Sequence, residues 1–210
     1  MPNNRFVTKV FPSVSRAERW TRNSHESGVL WLTGLSGAGK STLAMNVSRI
    51  LFEQGIHTYV LDGDNLRTGL NADLGFSSSD RTENIRRAAE VAETLADSGA
   101  IVFAAFISPM VADRKLASQI IKSNFHEVYV KASLFSCEQR DIKGLYRLAR
   151  AGTIQNFTGV SALYETPEKA SLIIDTDHST ISQSTNDLLH FVKRNFLRPD
   201  DADDIHGVVW

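Results

Sequence analysis

At residues 34–41 the chain reads Gly34-Leu35-Ser36-Gly37-Ala38-Gly39-Lys40-Ser41, a complete match to the phosphate-binding pattern G-x-x-x-x-G-K-[ST]. The apolar residues 29–33 before it predict a buried strand, and residues 41–54 after it predict a helix that ends near Gly55. In that setting the backbone N–H groups of the loop and the positive end of the helix wrap a phosphate. The lysine neutralises β- and γ-phosphate oxygens, and the serine hydroxyl ligates Mg²⁺. The alternative is a chance match in a glycine-rich turn, which the flanking strand and helix disfavour. The stretch predicts a nucleoside triphosphate site.

Predicted strands and helices alternate along the rest of the chain. Strands are predicted at 58–62, 101–107, 126–131 and 172–175, and helices at 81–98, 111–124, 137–149 and 181–196. The pattern Asp80-Arg81-Thr82-Glu83 predicts a capping box for the helix at 81–98. This alternation predicts an α/β fold, with a five-stranded parallel sheet, right-handed crossovers and helices on both faces.

The domain organisation follows from the same pattern. Residues 28–197 are predicted to form one domain, preceded at 1–27 by a polar N-terminal arm or short helix. Residues 198–210 read as a frayed acidic tail.

Composition narrows the classes of protein that fit. The chain has 210 residues, 42% of them apolar, a net charge of −1 and a single cysteine, Cys137. A charge near zero does not favour nucleic acid as a partner, and a lone cysteine fits a reducing compartment. We see no apolar core of a signal peptide near Met1, and the apolar run at 100–107 is too short to cross a membrane. A cytoplasmic protein without a membrane partner is therefore expected.

A pair of carboxylates follows the second predicted strand. Asp62-Gly63-Asp64-Asn65 lies at its carboxyl end, where parallel sheets bind ligands. A carboxylate there can contact Mg²⁺ or orient an acceptor hydroxyl, although these residue types are also typical of a plain turn. Opposite a phosphate-binding loop we favour the functional interpretation, with Asp62 ahead of Asp64. Asp175, which ends the last predicted strand, is interpreted as structural.

Two further segments carry side chains suited to anions and rings. Arg81 and Asn84 share one helix face, and Arg67 and Phe76 lie in the loop before that helix. The alternative is a solvated helix with Arg/Glu pairs, which we accept for the neighbouring residues 86 and 87. Residues 140–159 mix basic residues with glycines, which is typical of a lid over phosphates, although many basic helices are merely solvated.

Together these segments resemble the adenylyl-sulfate (APS) kinase family over residues 28–176, in the order of that family. The matching stretches beyond the phosphate loop are Leu61-Asp62-Gly63-Asp64-Asn65 with Arg67, Gly69-Leu70-Asn71, Asp73-Leu74-Gly75-Phe76-Ser77, Asp80-Arg81 with Glu83-Asn84-Ile85-Arg86-Arg87, Phe106-Ile107-Ser108-Pro109, Cys137-Glu138 with Arg140-Asp141, Lys143-Gly144-Leu145-Tyr146 and Phe157-Thr158-Gly159.

The resemblance implies a P-loop NTPase fold of three layers with a lid at about 147–165. It implies transfer of the γ-phosphoryl of ATP to the 3′-hydroxyl of adenosine 5′-phosphosulfate, giving PAPS, with Mg²⁺. It also implies a homodimer, and an ATP sulfurylase is a possible partner. The implied ATP site comprises Gly34, Leu35, Ser36, Gly37, Ala38, Gly39, Lys40, Ser41, Thr42 and Arg140.

The same resemblance assigns the remaining site residues. Lys40, Asp62 and Ser108 are implied to be catalytic, with Ser108 read first as a substrate contact, and Ser41 and Asp62 are implied to hold the metal. The implied APS contacts are Asp62, Asp64, Arg67, Phe76, Arg81, Asn84, Ile107, Ser108, Lys143, Leu145 and Phe157.

Several positions depart from the family pattern. Met110 stands where an aromatic residue is usual, Val111 replaces a basic residue, Ala89 replaces a common glycine, and Ile142 replaces a frequent proline. Lys131-Ala132-Ser133-Leu134-Phe135 also differs from the usual turn. The alternatives are a P-loop kinase for another small acceptor and an inactive regulatory relative. A GTPase is disfavoured because the sequence has no Asn-Lys-x-Asp guanine signature.

Overall fold

The sheet has five parallel strands. The computed structural model describes residues 12–197 together with Thr8 and Val10. The strands are β1 (Gly28–Thr33), β2 (Thr58–Asp62), β3 (Ile101–Ala105), β4 (Asn124–Lys131) and β5 (Leu172–Asp175), in the spatial order β2-β3-β1-β4-β5. Every neighbouring pair is parallel, which confirms the predicted sheet.

Helices cover both faces of this sheet. They are α1 (Arg16–Asn23), α2 (Lys40–Glu53), α3 (Gly63–Arg67), α4 (Ser78–Asp97), α5 (Val111–Ile120), α6 (Leu134–Gln139), α7 (Leu145–Arg150) and α8 (Ile181–Phe196). Because successive strand residues point to opposite faces, Leu30 and Leu32 of β1 pack with α2 and α8. Val29 and Trp31 pack with α4 and α5 on the other face. The two clusters form the two cores of a three-layer fold.

The predicted helix at 137–149 is wrong. The structure has two short helices there, α6 and α7, separated by residues 140–144. Gly144 ends this break with φ 66°, a left-handed conformation that glycine adopts without steric cost. The helical pattern at 137–149 is therefore interrupted by a loop, which carries Lys143 toward the carboxyl ends of the strands.

The start of the long helix α4 also differs from the prediction. The helix begins at Ser78, and its N-cap is Ser77, whose hydroxyl accepts a hydrogen bond from the Asp80 backbone N–H at 3.1 Å. The predicted capping box at Asp80 is therefore wrong, because serine is one of the preferred capping residues and lies a full turn earlier. The strand expected at 101–107 ends at Ala105, and the helix expected at 111–124 ends at Ile120.

Helix α1 packs beside the carboxyl-terminal end of α4. It begins at the N-cap Ser15, which forms a capping box with Glu18. Arg16 contacts both Glu93 and Asp97 at 3.1 Å. The predicted N-terminal segment thus contains a short helix, whereas the predicted acidic tail at 198–210 lies outside the described residues. Within the described part of the chain, no helix is long and apolar enough to cross a membrane.

Candidate active site

The phosphate-binding loop connects β1 to α2. A Cβ at Gly34 would lie 2.3 Å from the Val130 carbonyl oxygen, so only glycine fits beside β4. Gly37 has φ 78°, and Gly39, with φ 102°, precedes the first residue of α2. This conformation leads the loop directly into the helix N-terminus. The same loop contains Leu35, Ser36 and Ala38, and the first turn of α2 contains Ser41 and Thr42.

Lys40 lies inside this loop and is only 7% exposed. Its Nζ donates to the carbonyl oxygens of Gly34 at 2.9 Å and Leu35 at 2.7 Å. Burial lowers the pKa of Lys40 to about 8, and the nearby carboxylates of Asp62 and Asp64 oppose that shift. The ammonium group is therefore held in the loop by hydrogen bonds and is available to a bound phosphate.

Ser41 and Asp62 meet at the mouth of the loop. The Ser41 hydroxyl donates to Asp62 Oδ2 at 2.6 Å. Asp62 ends β2 and caps α3, because its Oδ1 accepts the Asp64 backbone N–H at 2.9 Å. The structure thus brings together the two residues that the sequence predicted for the metal.

An aromatic ring and two guanidinium groups form the wall that follows α3. The Phe76 ring is 62% exposed, and the guanidinium carbons of Arg67 and Arg81 lie 4.4 and 6.0 Å from its centroid. Arg67 also donates to the carbonyl oxygens of Leu74 and Gly75. The predicted cluster of Arg67, Phe76 and Arg81 is therefore formed, and we refer to it, together with Asn84, as the acceptor wall.

Arg81 links the acceptor wall to the predicted lid. Its guanidinium donates to the Asn156 carbonyl oxygen at 2.6 Å and to the Thr158 hydroxyl at 3.0 Å. Burial lowers the pKa of Arg81, and the neighbouring charge of Arg67 adds to that shift. Asn84, one turn further along α4, is buried. One side chain thus contacts both sides of the cleft.

The predicted interpretation of the neighbouring arginines agrees with the geometry. Both Arg86 and Arg87 form ion pairs with Glu83, at 2.7 and 2.8 Å. Arg87 also pairs with Asp73 at 2.7 Å. These two arginines therefore stabilise the helix and the loop before it.

The loop after β3 carries Ile107 and Ser108. The Thr33 hydroxyl donates to the Ile107 carbonyl oxygen at 2.7 Å, and Trp31 Nε1 donates to Ser108 Oγ at 3.1 Å. Ser108 is 3% exposed and has φ 37°, an uncommon conformation for a residue other than glycine. Contacts with β1 thus hold this loop in place.

Arg114, on α5, contacts the same loop, and it was not among the residues predicted for the site. This buried residue donates to the carbonyl oxygens of Ser108 at 2.9 Å and Glu165 at 2.8 Å, and it pairs with Glu127. Its guanidinium carbon lies 5.8 Å from the Tyr164 ring centroid. An arginine in a helical pattern reads as exposed, so only the tertiary contacts identify its role.

Tyr146, directly before the predicted lid, contacts both the phosphate loop and Phe157 of that segment. This residue donates its hydroxyl hydrogen to the Ser36 carbonyl oxygen at 2.8 Å, and its ring packs edge-on against Phe157 with centroids 5.0 Å apart. Burial raises the pKa of Tyr146, so its hydroxyl stays protonated as a donor at neutral pH. Leu145 begins α7, and Lys143 just before it forms an ion pair with Asp64. Tyr146 lies in one of the stretches that resemble the family, but no role was predicted for it.

Arg140 also lies close to the phosphate loop, on a side that Tyr146 does not contact. It donates to the hydroxyl of Thr176 at 3.0 Å and to its carbonyl oxygen at 2.7 Å. The Thr176 hydroxyl donates in turn to the Ala38 carbonyl oxygen at 3.1 Å. Arg140 is therefore connected to the predicted nucleotide loop through one residue.

Asp175, interpreted as structural, pairs with Lys131 at 2.7 Å.

Comparison with known proteins shows which family this chain resembles. The family model described as adenylylsulphate kinase matches residues 26–175. The chain is 47% identical to the adenylyl-sulfate kinase of Staphylococcus epidermidis over 196 residues, covering 93% of this chain and 98% of that protein. It is 51% identical to the adenylyl-sulfate kinase of Bacillus licheniformis over 182 residues, covering 86% and 92%.

A solved structure gives the same result in three dimensions. The Mycobacterium tuberculosis APS kinase CysC, solved in complex with AMPPNP and APS, superposes with a TM-score of 0.78 and 46% identity. The match covers 80% of this chain and 98% of the other. The parallel sheet, the phosphate loop, the acceptor wall and these relatives lead to one conclusion: the chain belongs to the adenylylsulphate kinase family, whose members are P-loop kinases.

Proposed function

We propose that this chain transfers the γ-phosphoryl group of ATP to the 3′-hydroxyl of adenosine 5′-phosphosulfate, giving PAPS. The observation that carries the proposal is the position of Asp62, which contacts Ser41 of the phosphate loop at 2.6 Å and begins the segment that leads to the acceptor wall. One cleft thereby offers a phosphoryl donor site on one side and an aromatic, arginine-rich acceptor site on the other. Family membership supports both substrates.

The residues at the mouth of the loop fit Mg²⁺. A hydroxyl and a carboxylate oxygen already lie within hydrogen-bond distance of each other, and hard cations such as Mg²⁺ prefer oxygen ligands. Ser41 and Asp62 would hold the ion. When bound, Mg²⁺ supplies positive charge that offsets the negative charge on the β- and γ-phosphate oxygens.

The donor side binds the triphosphate through backbone and Lys40. The N–H groups of residues 34–42 and the positive end of α2 surround the phosphates, and Lys40 contacts the transferring group. Arg140, which donates to Thr176 beside Ala38, is proposed to lie against the adenine of ATP. These contacts position the γ-phosphoryl group and neutralise its charge, which is most of what phosphoryl transfer requires.

The acceptor side binds APS between rings and guanidinium groups. Phe76 offers an exposed aromatic face for a base, and Arg67 and Arg81 offer planar donors for sulfate or phosphate oxygens. Asp64, Asn84, Ile107, Lys143, Leu145 and Phe157 complete the proposed set. Because Arg81 already contacts Asn156 and Thr158, we infer that the segment at 147–165 closes over the bound substrates.

Asp62 aligns the attacking oxygen in this proposal. Its carboxylate can accept the hydrogen of the 3′-hydroxyl while the γ-phosphoryl group passes directly from ATP to that oxygen. Ser108 is proposed as a substrate contact. Its burial and its hydrogen bond from Trp31 support a binding role over a phosphorylated intermediate, since direct in-line transfer needs no such intermediate.

A coupled assay of ADP release, with and without APS, tests the proposed function. We expect ADP release that depends on APS and yields PAPS, together with little turnover on gluconate, shikimate or nucleoside monophosphates. Equal turnover on another small acceptor would contradict the assignment of APS. ADP release that is independent of any acceptor would contradict the kinase assignment.

Three further proposals concern the whole protein. We infer a homodimer in the cytoplasm and a possible association with an ATP sulfurylase. We also propose that residues 28–197 form the kinase domain. Light scattering should give twice the chain mass of 23.3 kDa, and a monomer would contradict the homodimer.

A further inference from the structure

Asn71 is a buried amide beside the acceptor wall that the proposed mechanism does not use. It lies in the loop between α3 and α4 and is fully buried, at 0% exposure. Its Nδ2 donates a hydrogen bond to Oδ1 of Asn84 at 3.0 Å, and both side chains of this amide pair are buried. A side chain with no access to solvent can act on a ligand only through its neighbour.

The loop that carries Asn71 is held by several hydrogen bonds. The Asn71 backbone N–H donates to the Leu66 carbonyl oxygen at 2.8 Å, and the Asn71 carbonyl oxygen accepts the Leu74 N–H at 3.1 Å. Arg87 donates to the Leu70 carbonyl oxygen at 3.1 Å. The side chain of Asn71 therefore starts from a backbone that hydrogen bonds hold in place.

The direction of the hydrogen bond between the two amides is set by which groups would otherwise lack partners. In the observed direction Asn71 Oδ1 is buried without a partner. In the reverse direction Asn71 Oδ1 would accept from Asn84, and the buried NH₂ group of Asn71 would be left without that acceptor. Orphaned buried N–H groups are rarer in proteins than orphaned carbonyl oxygens, so the observed direction is the more stable one.

This direction decides what Asn84 offers to a ligand. Its Oδ1 is occupied by Asn71, so its Nδ2 is the group that remains. Among residues 12–197 no acceptor receives a hydrogen bond from Asn84 Nδ2, yet this atom is not one of the fully buried side-chain atoms that lack a partner. Among the described residues it is thus a donor without a partner that is not fully enclosed, and it lies one turn along α4 from Arg81.

We propose that Asn71 is a positioning residue that fixes the amide of Asn84, so that Asn84 presents an N–H donor to an acceptor atom of APS. The inference rests on the proposed function, because it refines how the acceptor wall recognises that substrate. It also makes Asn84 specific for a hydrogen-bond acceptor on the ligand and unfavourable for a donor at the same place.

Asn71→Asp tests the proposal because a carboxylate of the same shape, once ionised, can only accept. Asn84 would then turn its NH₂ toward residue 71 and its Oδ1 toward the cleft. We expect the KM for APS to rise about tenfold or more, with the KM for ATP within about twofold of the wild-type value. Asn84→Asp should have a similar effect, since it also places an acceptor where the donor was.

Asn195→Asp is the matched control. Its Nδ2 donates to the Phe191 carbonyl oxygen on α8, so the same chemical change occurs away from the cleft, and both KM values should remain unchanged. Calorimetric titration of each variant with APS alone should reproduce the loss of affinity without turnover. If Asn71→Asp binds APS as tightly as the wild-type protein while Asn84→Asp does not, Asn71 does not set the amide and the inference is wrong.

A measurement on the wild-type protein decides the matter if Asn71→Asp does not fold. In ¹⁵N-labelled protein the side-chain NH₂ of Asn71 should exchange with solvent more slowly than that of Asn84, and APS should shift the Asn84 signals more. The opposite order of exchange would overturn the inference. A wild-type protein that leaves APS unphosphorylated would contradict the proposed function instead, while the exchange rates would still report on the amide pair.

Discussion

Lys40 shows how a single side chain combines burial with charge. Its ammonium group is almost completely removed from solvent, and two carbonyl oxygens of its own loop accept its hydrogen bonds. Carbonyl dipoles stabilise the cation only in part, because desolvation still lowers its pKa to about 8. A bound triphosphate would offset the remaining cost of removing the ammonium group from water. The residue is therefore poised to gain stability from an anion.

Lys40→Met should remove turnover while keeping the fold. Methionine approximates the volume of lysine but carries no charge, so the transferring phosphoryl group loses its buried cation. We expect kcat to fall by about 10³-fold or more, with circular dichroism unchanged. The measurement is the coupled ADP assay, with Asn195→Asp as a folded control. Retention of a tenth of the wild-type kcat would contradict the role of Lys40.

The lowered pKa of Lys40 also predicts a pH dependence. The group is a cation that loses its proton as the pH rises through about 8, so the charged form of the free enzyme declines above that pH. Because kcat/KM reports on the free enzyme, kcat/KM for ATP should fall by up to about tenfold per pH unit above pH 8. Under saturating ATP the fall should occur at higher pH, since the phosphates stabilise the ammonium. A flat kcat/KM profile to pH 9.5 would contradict this.

Asp62 and Asp175 offer a comparison between two carboxylates at strand ends. Asp62 contacts Ser41 of the phosphate loop, whereas Asp175 pairs with Lys131 at the edge of the sheet. We expect Asp62→Asn to lower kcat by about 10²-fold or more, because the amide neither accepts the 3′-hydroxyl proton nor binds Mg²⁺ as well. Asp175→Asn should leave kcat within about twofold. Equal effects in steady-state kinetics would contradict the assignment.

The loop after β3 is held by a buried guanidinium group. Arg114, on α5, is 4% exposed and joins three parts of the chain: the Ser108 loop, the segment at 164–165 and Glu127 on β4. Tyr164 adds a contact between its hydroxyl and that of Thr33 at 3.0 Å. The end of the predicted lid and the Ser108 loop are thus held by one guanidinium group.

Arg114→Met should therefore destabilise the protein strongly. It leaves the Glu127 carboxylate without its partner and several carbonyl oxygens without a donor, which costs about 3–5 kcal/mol for a buried pair. Urea unfolding measures the change in the free energy of unfolding. A double variant that also carries Glu127→Gln should recover part of the loss, because no unpaired charge remains. If the double variant loses more free energy of unfolding than the two single variants lose together, Arg114 and Glu127 do not interact as described.

In the molecule as a whole, the cleft lies at the carboxyl ends of the strands. The carboxyl ends of β1, β2 and β3 bring the phosphate loop, Asp62 and the Ser108 loop together, and α4 adds the acceptor wall. Substrate binding is therefore linked to global stability, because these segments converge only in the folded chain.

This linkage predicts a thermal shift with nucleotide. A non-hydrolysable ATP analogue with Mg²⁺, at about 100 times its Kd, stabilises a folded protein by about 2.7 kcal/mol. For a chain of this length that corresponds to a rise in Tm of about 5–11 °C. Lys40→Met should show little rise at the same concentration. An equal shift in the variant, measured by scanning calorimetry, would show that the nucleotide binds elsewhere.

The sequence alone determined the class of fold and the two halves of the cleft. The phosphate-loop pattern has fixed spacing, and β1 before it is a continuous apolar run buried on both faces, so its bounds were predicted within one residue. The two outer strands, β2 and β5, were predicted at the bounds that the structure has. The pairing of Ser41 with Asp62 and the cluster of Arg67, Phe76 and Arg81 also follow from strand ends and helix spacing.

Tertiary structure decided the rest, because burial and partners are not local properties. Two of the misplaced helix bounds have local causes instead: a glycine in the left-handed conformation within 137–149, and a serine three residues before Asp80 that begins α4. Arg114, Tyr146 and Asn71 acquire their roles only from groups distant in the sequence, whose approach depends on the packing of the folded layers. The chain's local patterns thus predict where phosphate binds, whereas long-range packing sets how the acceptor site is held in shape.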